Sequence, residues 1–358
     1  MWYNVNGLWE AAWSPPIVWE KLRTLLIVQG EGVVGQKLKF VVSDLHLGAG
    51  QLNVNEYYPE NFRADAEFVN FLGMIILESE RDQREVELII NGDFLDFLRL
   101  PATDTYDPLA TYPKEAFLDS SQTASVKRLN LIYQDHKAVF EALTRFMRAE
   151  TPKRRLTIIK GSHDVHFFWP QVKSRLRELL RASGTRASLL LFAEEFVSRE
   201  KIYVEHGHQQ ADQINRYADF RDPIQPDDPN QIDYPLGAQL AIEVHHQAGH
   251  QFPFAGTITP IMSLVWLALQ WNQPLAARLL ARIAQHTPSP VFDGATPDEL
   301  WPRLQDDATC YQALQQSLED SRLRQQLLGR IEHQLYFLWA GAPPPAGIGW
   351  GGGGGGGP

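Results

Sequence analysis

A single cysteine, Cys310, stands among 358 residues. With no partner in the chain, it excludes an intrachain disulfide, and a zinc site built on thiolates is excluded too. Basic residues are outnumbered, with 33 Lys and Arg against 43 Asp and Glu and a formal charge of −10. General nucleic-acid binding relies on a cationic surface that displaces counterions, so this class is a poor match. The local basic stretches KRR (153–155) and KSRLRELLR (173–181) do not alter that reading, since the second has the pattern of a solvated helix face. Long hydrophobic runs are missing as well. The most apolar segment, Ile258 to Trp271, is too short to span a bilayer and reads as a buried or interfacial helix. The opening MWYNVNGLWEAAWSPP lacks the basic start and continuous apolar stretch of a secretory signal. These absences predict an intracellular, cytoplasmic protein without a transmembrane segment.

What is present is a globular composition, 44% hydrophobic and 21% charged, in a chain long enough to bury a substantial core. Residues 1–37 are a tryptophan-rich, irregular N-terminal extension. From Lys37 the pattern sharpens. LKFVVS (38–43), VELII (86–90) and RLTIIK (155–160) are short apolar runs, as buried strands are. SLLLFA (188–193) and KIYVEH (201–206) predict two more strands. Apolar spacing predicts helices over 63–81, 123–149 and 171–184, the first with Phe68, Phe71, Leu72, Ile75 and Ile76 on one face. Strands alternating with helices point to a layered α/β sheet over 38–235. Beyond Tyr234 the spacing is helical, which makes 236–340 a helical insertion or cap. Residues 341–358, rich in proline and glycine, have few side chains to bury and are expected to be disordered.

Four polar clusters follow strand-like runs: SDLHLG with Asp44 and His46, NGDFLDF with Asp93 and Asp96, GSHD with Ser162, His163 and Asp164, and EHGH with His206 and His208. Open α/β sheets carry their sites at such strand ends. Each cluster alone is weak evidence, because a lone surface Asp or His is usually just solvated. All four after strands, in a chain with 11 histidines, is a pattern. The residue types suit two neighbouring divalent ions, which need a carboxylate to bridge them and hard oxygen or imidazole ligands around it. Asp44 and His46 alternate along an extended segment, and Gly92 allows close backbone approach before Asp93. Ions so held polarise a phosphoryl group and acidify a water, while a histidine braced by a carboxylate protonates the leaving alkoxide.

In this order the clusters resemble the calcineurin-like metallophosphoesterases. That family's pattern is D-x-H, G-D-x-x-D, G-N-H-[DE], a histidine after a strand, and G-H-x-H. DLH (44–46) and GDFLD (92–96) match intact, while GSHD (161–164) and VEHGH (204–208) are near matches. The resemblance covers about Leu38 to His208. It implies a β-sandwich of mixed sheets flanked by helices, holding two divalent ions (Mn, Fe or Zn). By position, Asp44 and His46 would bind the first metal, Asp93 would bridge, and His206 would bind the second. His163 would face the scissile phosphate with Asp96 orienting it. Ser162 stands where the family has an asparagine ligand and would act through water or fall silent. Asp164, His166 and His208 read as supporting or surface polar residues, and of these His208 is the most plausible extra ligand.

The fifth motif is missing after His208 apart from the partial GHQF at 249–252. His245, His246 and His250 are candidate substitutes, although they lie where the chain reads as helix. With the ligand set short, the second metal is expected to be held weakly and activity to be reduced. The function implied is hydrolysis of a phosphomonoester, a phosphodiester or a nucleotide pyrophosphate, from a small or lipid-linked substrate. The apolar block Ile258–Ala284 reads either as a cap for a lipid chain, with peripheral membrane contact, or as core packing. The alternative is a catalytically inactive relative that binds a partner or a phosphate ligand through the residual pocket.

Overall fold

The computed structural model describes residues 26–28, 37–50, 60, 62–149, 151–197, 202–211, 214–248, 261–286, 300–325 and 327. The remainder of the N-terminal extension, the GHQF segment with His250, and the glycine-rich tail lie outside the described residues.

The chain is α/β, with strands β1 (Leu26–Val28), β2 (Leu38–Val42), β3 (Val86–Asn91), β4 (Arg154–Ile159), β5 (Leu190–Ala193), β6 (Phe196–Val197) and β7 (Tyr203–Val204). The first five form one sheet in the order β1-β2-β3-β4-β5, with β2 to β5 parallel and β1 antiparallel on the edge. β6 and β7 make a separate antiparallel pair. Helices α1 (Asp65–Arg81), α2 (Lys114–Leu118), α3 (Gln122–Asp135), α4 (Lys137–Phe146), α5 (Pro170–Leu179) and α6 (His208–Ala211) accompany this part of the chain. From Leu236 it is helical among the described residues: α7 (Leu236–Ala248), α8 (Ile261–Trp271), α9 (Gln273–His286), α10 (Leu300–Leu304) and α11 (Cys310–Glu319).

Strand order explains the layering. Right-handed crossovers between parallel strands laid down consecutively in one direction put every connecting helix on the same face. That face carries Phe40, Val42, Leu88, Ile90 and Ile158, packed with Phe68, Leu72 and Ile75 of α1 and Phe140 and Leu143 of α4. Each such buried side chain contributes about 1.5–3 kcal/mol. The alternate residues Val41, Ile89 and Ile159 form a small cluster on the other face, where Phe196 and Val204 of the β6–β7 pair cover them. α7 joins the two halves. Its Ala238 and Ile242 belong to the sheet-side core, while Leu236, Leu240 and Val244 pack into a second core with α8 to α11.

Two helices expected from periodicity differ. The single helix predicted over 123–149 is α3 and α4, broken at His136 (φ −106°, ψ 31°). The buried His136 ring lies between two carboxylates, with Nδ1 2.8 Å from Asp65 and Nε2 3.3 Å from Glu60. This tertiary clamp competes with helix continuation and leaves no periodic trace. The helix predicted over 171–184 stops at Leu179, with Arg181 in a left-handed turn (φ 51°).

Candidate metal centre

Because β2, β3 and β4 are parallel neighbours, the turns leaving them emerge side by side. The first two are zipped together by backbone hydrogen bonds: Asp44 N–H to Gly92 O (3.2 Å), His46 N–H to Asp93 O (2.8 Å) and Asp96 N–H to Leu47 O (2.8 Å). The zipping costs backbone strain. Asp44, His46 and Asp93 all adopt positive φ (57°, 51° and 50°), a conformation that non-glycine residues adopt only when their surroundings enforce it. Two glycines make the closeness possible. A Cβ on Gly92, itself at φ 75°, would collide with the His206 ring, and one on Gly161 would collide with the Asp93 carboxylate and backbone.

The side chains converge on Asp93, which is buried. Among the described residues, two groups could each surround one ion: His46, Asp93 and His163, and Asp44, Asp93 and His206. Asp93 is common to both. His206 Nε2 lies 3.4 Å from Asp93 Oδ2 and 3.5 Å from Asp44 Oδ1, and His46 Nε2 lies 3.6 Å from Asp93 Oδ2. These separations are long for hydrogen bonds. They fit co-ligands: two atoms each about 2.1 Å from an ion at a tetrahedral angle stand about 3.4 Å apart. The donor set therefore fits hard or borderline divalent ions.

The expected pair Asp44 and His46 is brought together, with His46 Nε2 3.9 Å from Asp44 Oδ1, and the groups add His163, expected as a catalytic residue, to the first set and Asp44 to the second. Asp44 joins His206 and Asp93, so the second group has three candidate ligands without Ser162. Ser162 instead donates its hydroxyl to Asp93 Oδ2 at 3.1 Å. His208 belongs to neither group and takes the supporting place rather than that of an extra ligand, with its Nδ1 2.9 Å from His206 Nδ1. His245 and His246 lie on α7, and neither joins a group among the described residues.

Beside Asp93 stands a second arrangement. His163 Nδ1 is 2.9 Å from Asp96 Oδ1, and the His163 and His46 rings meet edge to face at 4.5 Å. Asp96 is fully buried and also meets Arg99 (2.6 Å) and His46 Nδ1 (3.4 Å) through Oδ2.

Charges follow from this crowding. Burial favours neutral carboxyls, but the cations around Asp96, Arg99 first among them, hold it well below the ordinary range. Burial opposes ionisation of Asp93 too; His206, His163 and His46 outweigh it and lower its pKa to about 2. His206 resists desolvation through Asp93 and Asp44, which raise it to about 9. Asp164 is pushed up to about 7 by burial and by Asp93.

Asp164 and His166, read from the sequence as supporting or surface polar residues, take the supporting role. Asp164 is fully buried and accepts from Gly161 N–H (2.6 Å) and Phe94 N–H (2.8 Å), tying the β3 and β4 turns together. His166 is equally buried, with Ser125 and Tyr234 hydroxyls each 2.7 Å from its ring nitrogens. Tyr217 donates to Ser162 O at 2.8 Å, holding the third turn from outside. The sequence signal for Asp164 and His166 was their place in or next to a motif, and Tyr217 had none. No family model, curated protein or solved structure matches the chain.

Proposed function

We propose that the chain is a metal-dependent phosphoester hydrolase of the calcineurin-like metallophosphoesterase type, built on that family's β-sandwich. The observation that carries this reading is Asp93 standing between His46 on one side and Asp44 with His206 on the other; His163, which also lies in the His46 group, is taken as the proton donor because its Nδ1 is held by Asp96. Asp44, His46, Asp93 and His206 would hold two divalent ions of the Mn, Fe or Zn kind. Such ions supply phosphoryl polarisation and an acidified water. Asp93 joins the two groups, and His163, anchored through Nδ1, leaves Nε2 to protonate a departing alkoxide.

The substrate is a phosphoester, small or lipid-linked. No helix among the described residues is long and apolar enough to cross a membrane. The apolar block divides: Leu264, Val265 and Ala268 of α8 are buried in the helical core, while Trp266 and Leu267 are exposed and offer the contact a lipid chain or membrane surface would use. Nucleic acid is disfavoured by the net charge of −10.

The test is manganese-dependent hydrolysis of a generic aryl phosphodiester. The wild type is expected to be active and His163→Ala at least about 100-fold slower, the low end of what a positioned proton donor contributes. One observation favours the second reading, an inactive binder: Ser162 bonds to Asp93 where an amide ligand is expected. No hydrolysis in any form would support that reading.

Ser162 is also the point where the site can be improved. Ser162→Asn restores an amide oxygen and is expected to tighten manganese binding about tenfold, in the range by which polar neighbours tune metal sites. Calorimetric titration measures this, and unchanged affinity would show that Ser162 does not limit the site.

A further inference from the structure

A cavity of about 420 Å³ lies where α3, the start of α4, α5 and the loop at Thr103 and Asp104 meet. It shares no residue with the metal centre, and its size is that of a small-molecule site. One wall is a face of α3, where Lys127, Asn130 and Gln134 follow the i, i+3, i+7 spacing that aligns side chains along a helix. The break at His136 ends α3 here, and Lys137, the first residue of α4, still lines the cavity. Arg175 closes it from α5.

Charge and unused bonding capacity set this cavity apart. In a chain of net charge −10, its lining carries three cations, Lys127, Lys137 and Arg175, against one anion, Asp104. Lys127 and Asp104 pair with each other at 3.2 Å. Arg175 is oriented by two neighbours, since Nε donates to Asn130 Oδ1 at 2.8 Å and Nη1 to Glu178 Oε2 at 2.9 Å. Its Nη2 has no partner among the described residues, and neither has the Lys137 ammonium. The Gln134 amide and the Tyr133 hydroxyl are unpartnered there in the same way. The Tyr133 ring itself is set edge-on against Phe140 at 5.3 Å.

We propose that this cavity binds a sugar phosphate, with the phosphoryl group between Lys137 and Arg175 and the hydroxylated body against Asn130, Gln134 and Tyr133. A phosphoryl dianion is met by a point charge on one side and a guanidinium edge on the other. Sugar hydroxyls donate and accept, and so do side-chain amides and a phenol. An apolar ligand would take these polar groups out of water without replacing their hydrogen bonds, which is costly. A cationic ligand would meet an excess of like charge. The site needs neither Asp93 nor a metal ion, so it stands apart from the hydrolase reading.

Calorimetric titration of the whole metal-free chain with glucose 6-phosphate, inorganic phosphate and glucose is the experiment. Glucose 6-phosphate should bind saturably at a single site. Inorganic phosphate, without the hydroxyl contacts, should bind at least about tenfold more weakly, and glucose should give no measurable heat. Lys137→Met and Arg175→Met should each weaken glucose 6-phosphate about tenfold, the effect of one lost charged hydrogen bond. Lys137 is exposed and unpaired, so its replacement leaves folding intact and decides the matter if Arg175→Met does not fold. Asp93→Asn should bind as the wild type does. The proposal is overturned by no saturable binding, or by binding that Lys137→Met leaves unchanged. Loss of binding in Asp93→Asn also overturns it, because the ligand then sits at the metal centre. Inorganic phosphate binding as tightly as glucose 6-phosphate overturns it too, by reducing the cavity to an anion site without sugar recognition.

Discussion

Replacing Asp93 with asparagine is expected to remove metal-dependent hydrolysis, by about 1000-fold or more, while leaving the chain folded. Asp93 is the one residue in both ligand groups, so a single change weakens both. Asparagine is nearly isosteric and retains an oxygen to accept from the His163 N–H that now bonds Asp93 at 2.8 Å. It lacks the charge. The charge is what His206, His163 and His46 stabilise in the absence of metal, and what would join two cations. Losing about 4 kcal/mol of transition-state stabilisation, a modest share of what metals supply, corresponds to about 1000-fold. Steady-state assay with manganese, alongside circular dichroism to verify folding, measures it. Activity within tenfold of wild type would show that Asp93 does not organise the site.

The largest expected effect on stability lies outside the motifs. Arg128 of α3 is completely buried and donates to four carbonyls: Leu100 (2.7 Å), Asp119 (2.6 Å), Ala116 (2.8 Å) and Phe117 (2.9 Å). Burial pulls its pKa below the usual arginine value, and the carbonyl dipoles stand in for the water it gave up. Arg128→Met keeps the aliphatic stem and strands the Leu100, Asp119 and Phe117 carbonyls, while Ala116 O keeps the Ala102 N–H at 2.7 Å. Each stranded buried acceptor costs about 1–3 kcal/mol, and partial relaxation of the loop brings the total to about 4 kcal/mol. Urea denaturation should show a lower midpoint with an unchanged slope. Arg128→Lys, with three donors on one nitrogen, should recover only part of the loss. An unchanged midpoint in Arg128→Met would mean that the carbonyls find other partners.

Much of the central sheet was readable because parallel strands are apolar on both faces. Leu38–Val42, Val86–Asn91 and Arg154–Ile159 stand out as short β-branched runs. The site was readable to the same depth, since the clusters directly follow those runs. What escaped depends on partners remote in sequence. The break at His136 is made by Glu60 and Asp65, about 70 residues away in the chain. The pairing of Asp44 with His206 joins positions that share no periodicity. Among the described residues KIYVEH holds a two-residue strand, Tyr203–Val204, paired with Phe196–Val197. Arg99 and Arg128 are buried, and nothing local in the sequence distinguishes a buried arginine from a solvated one. His245 and His246 did fall on a helix as expected, and that placement keeps them out of both ligand groups among the described residues.

The most direct measurement is a manganese titration of the wild-type chain followed by electron paramagnetic resonance, with Asp93→Asn in parallel. A carboxylate shared by two ions couples their spins. The wild type should therefore show a coupled pair at saturation, and Asp93→Asn should show none. Absence of manganese binding, only isolated ions at saturation, or a coupled pair that survives in Asp93→Asn would contradict a centre built on Asp93.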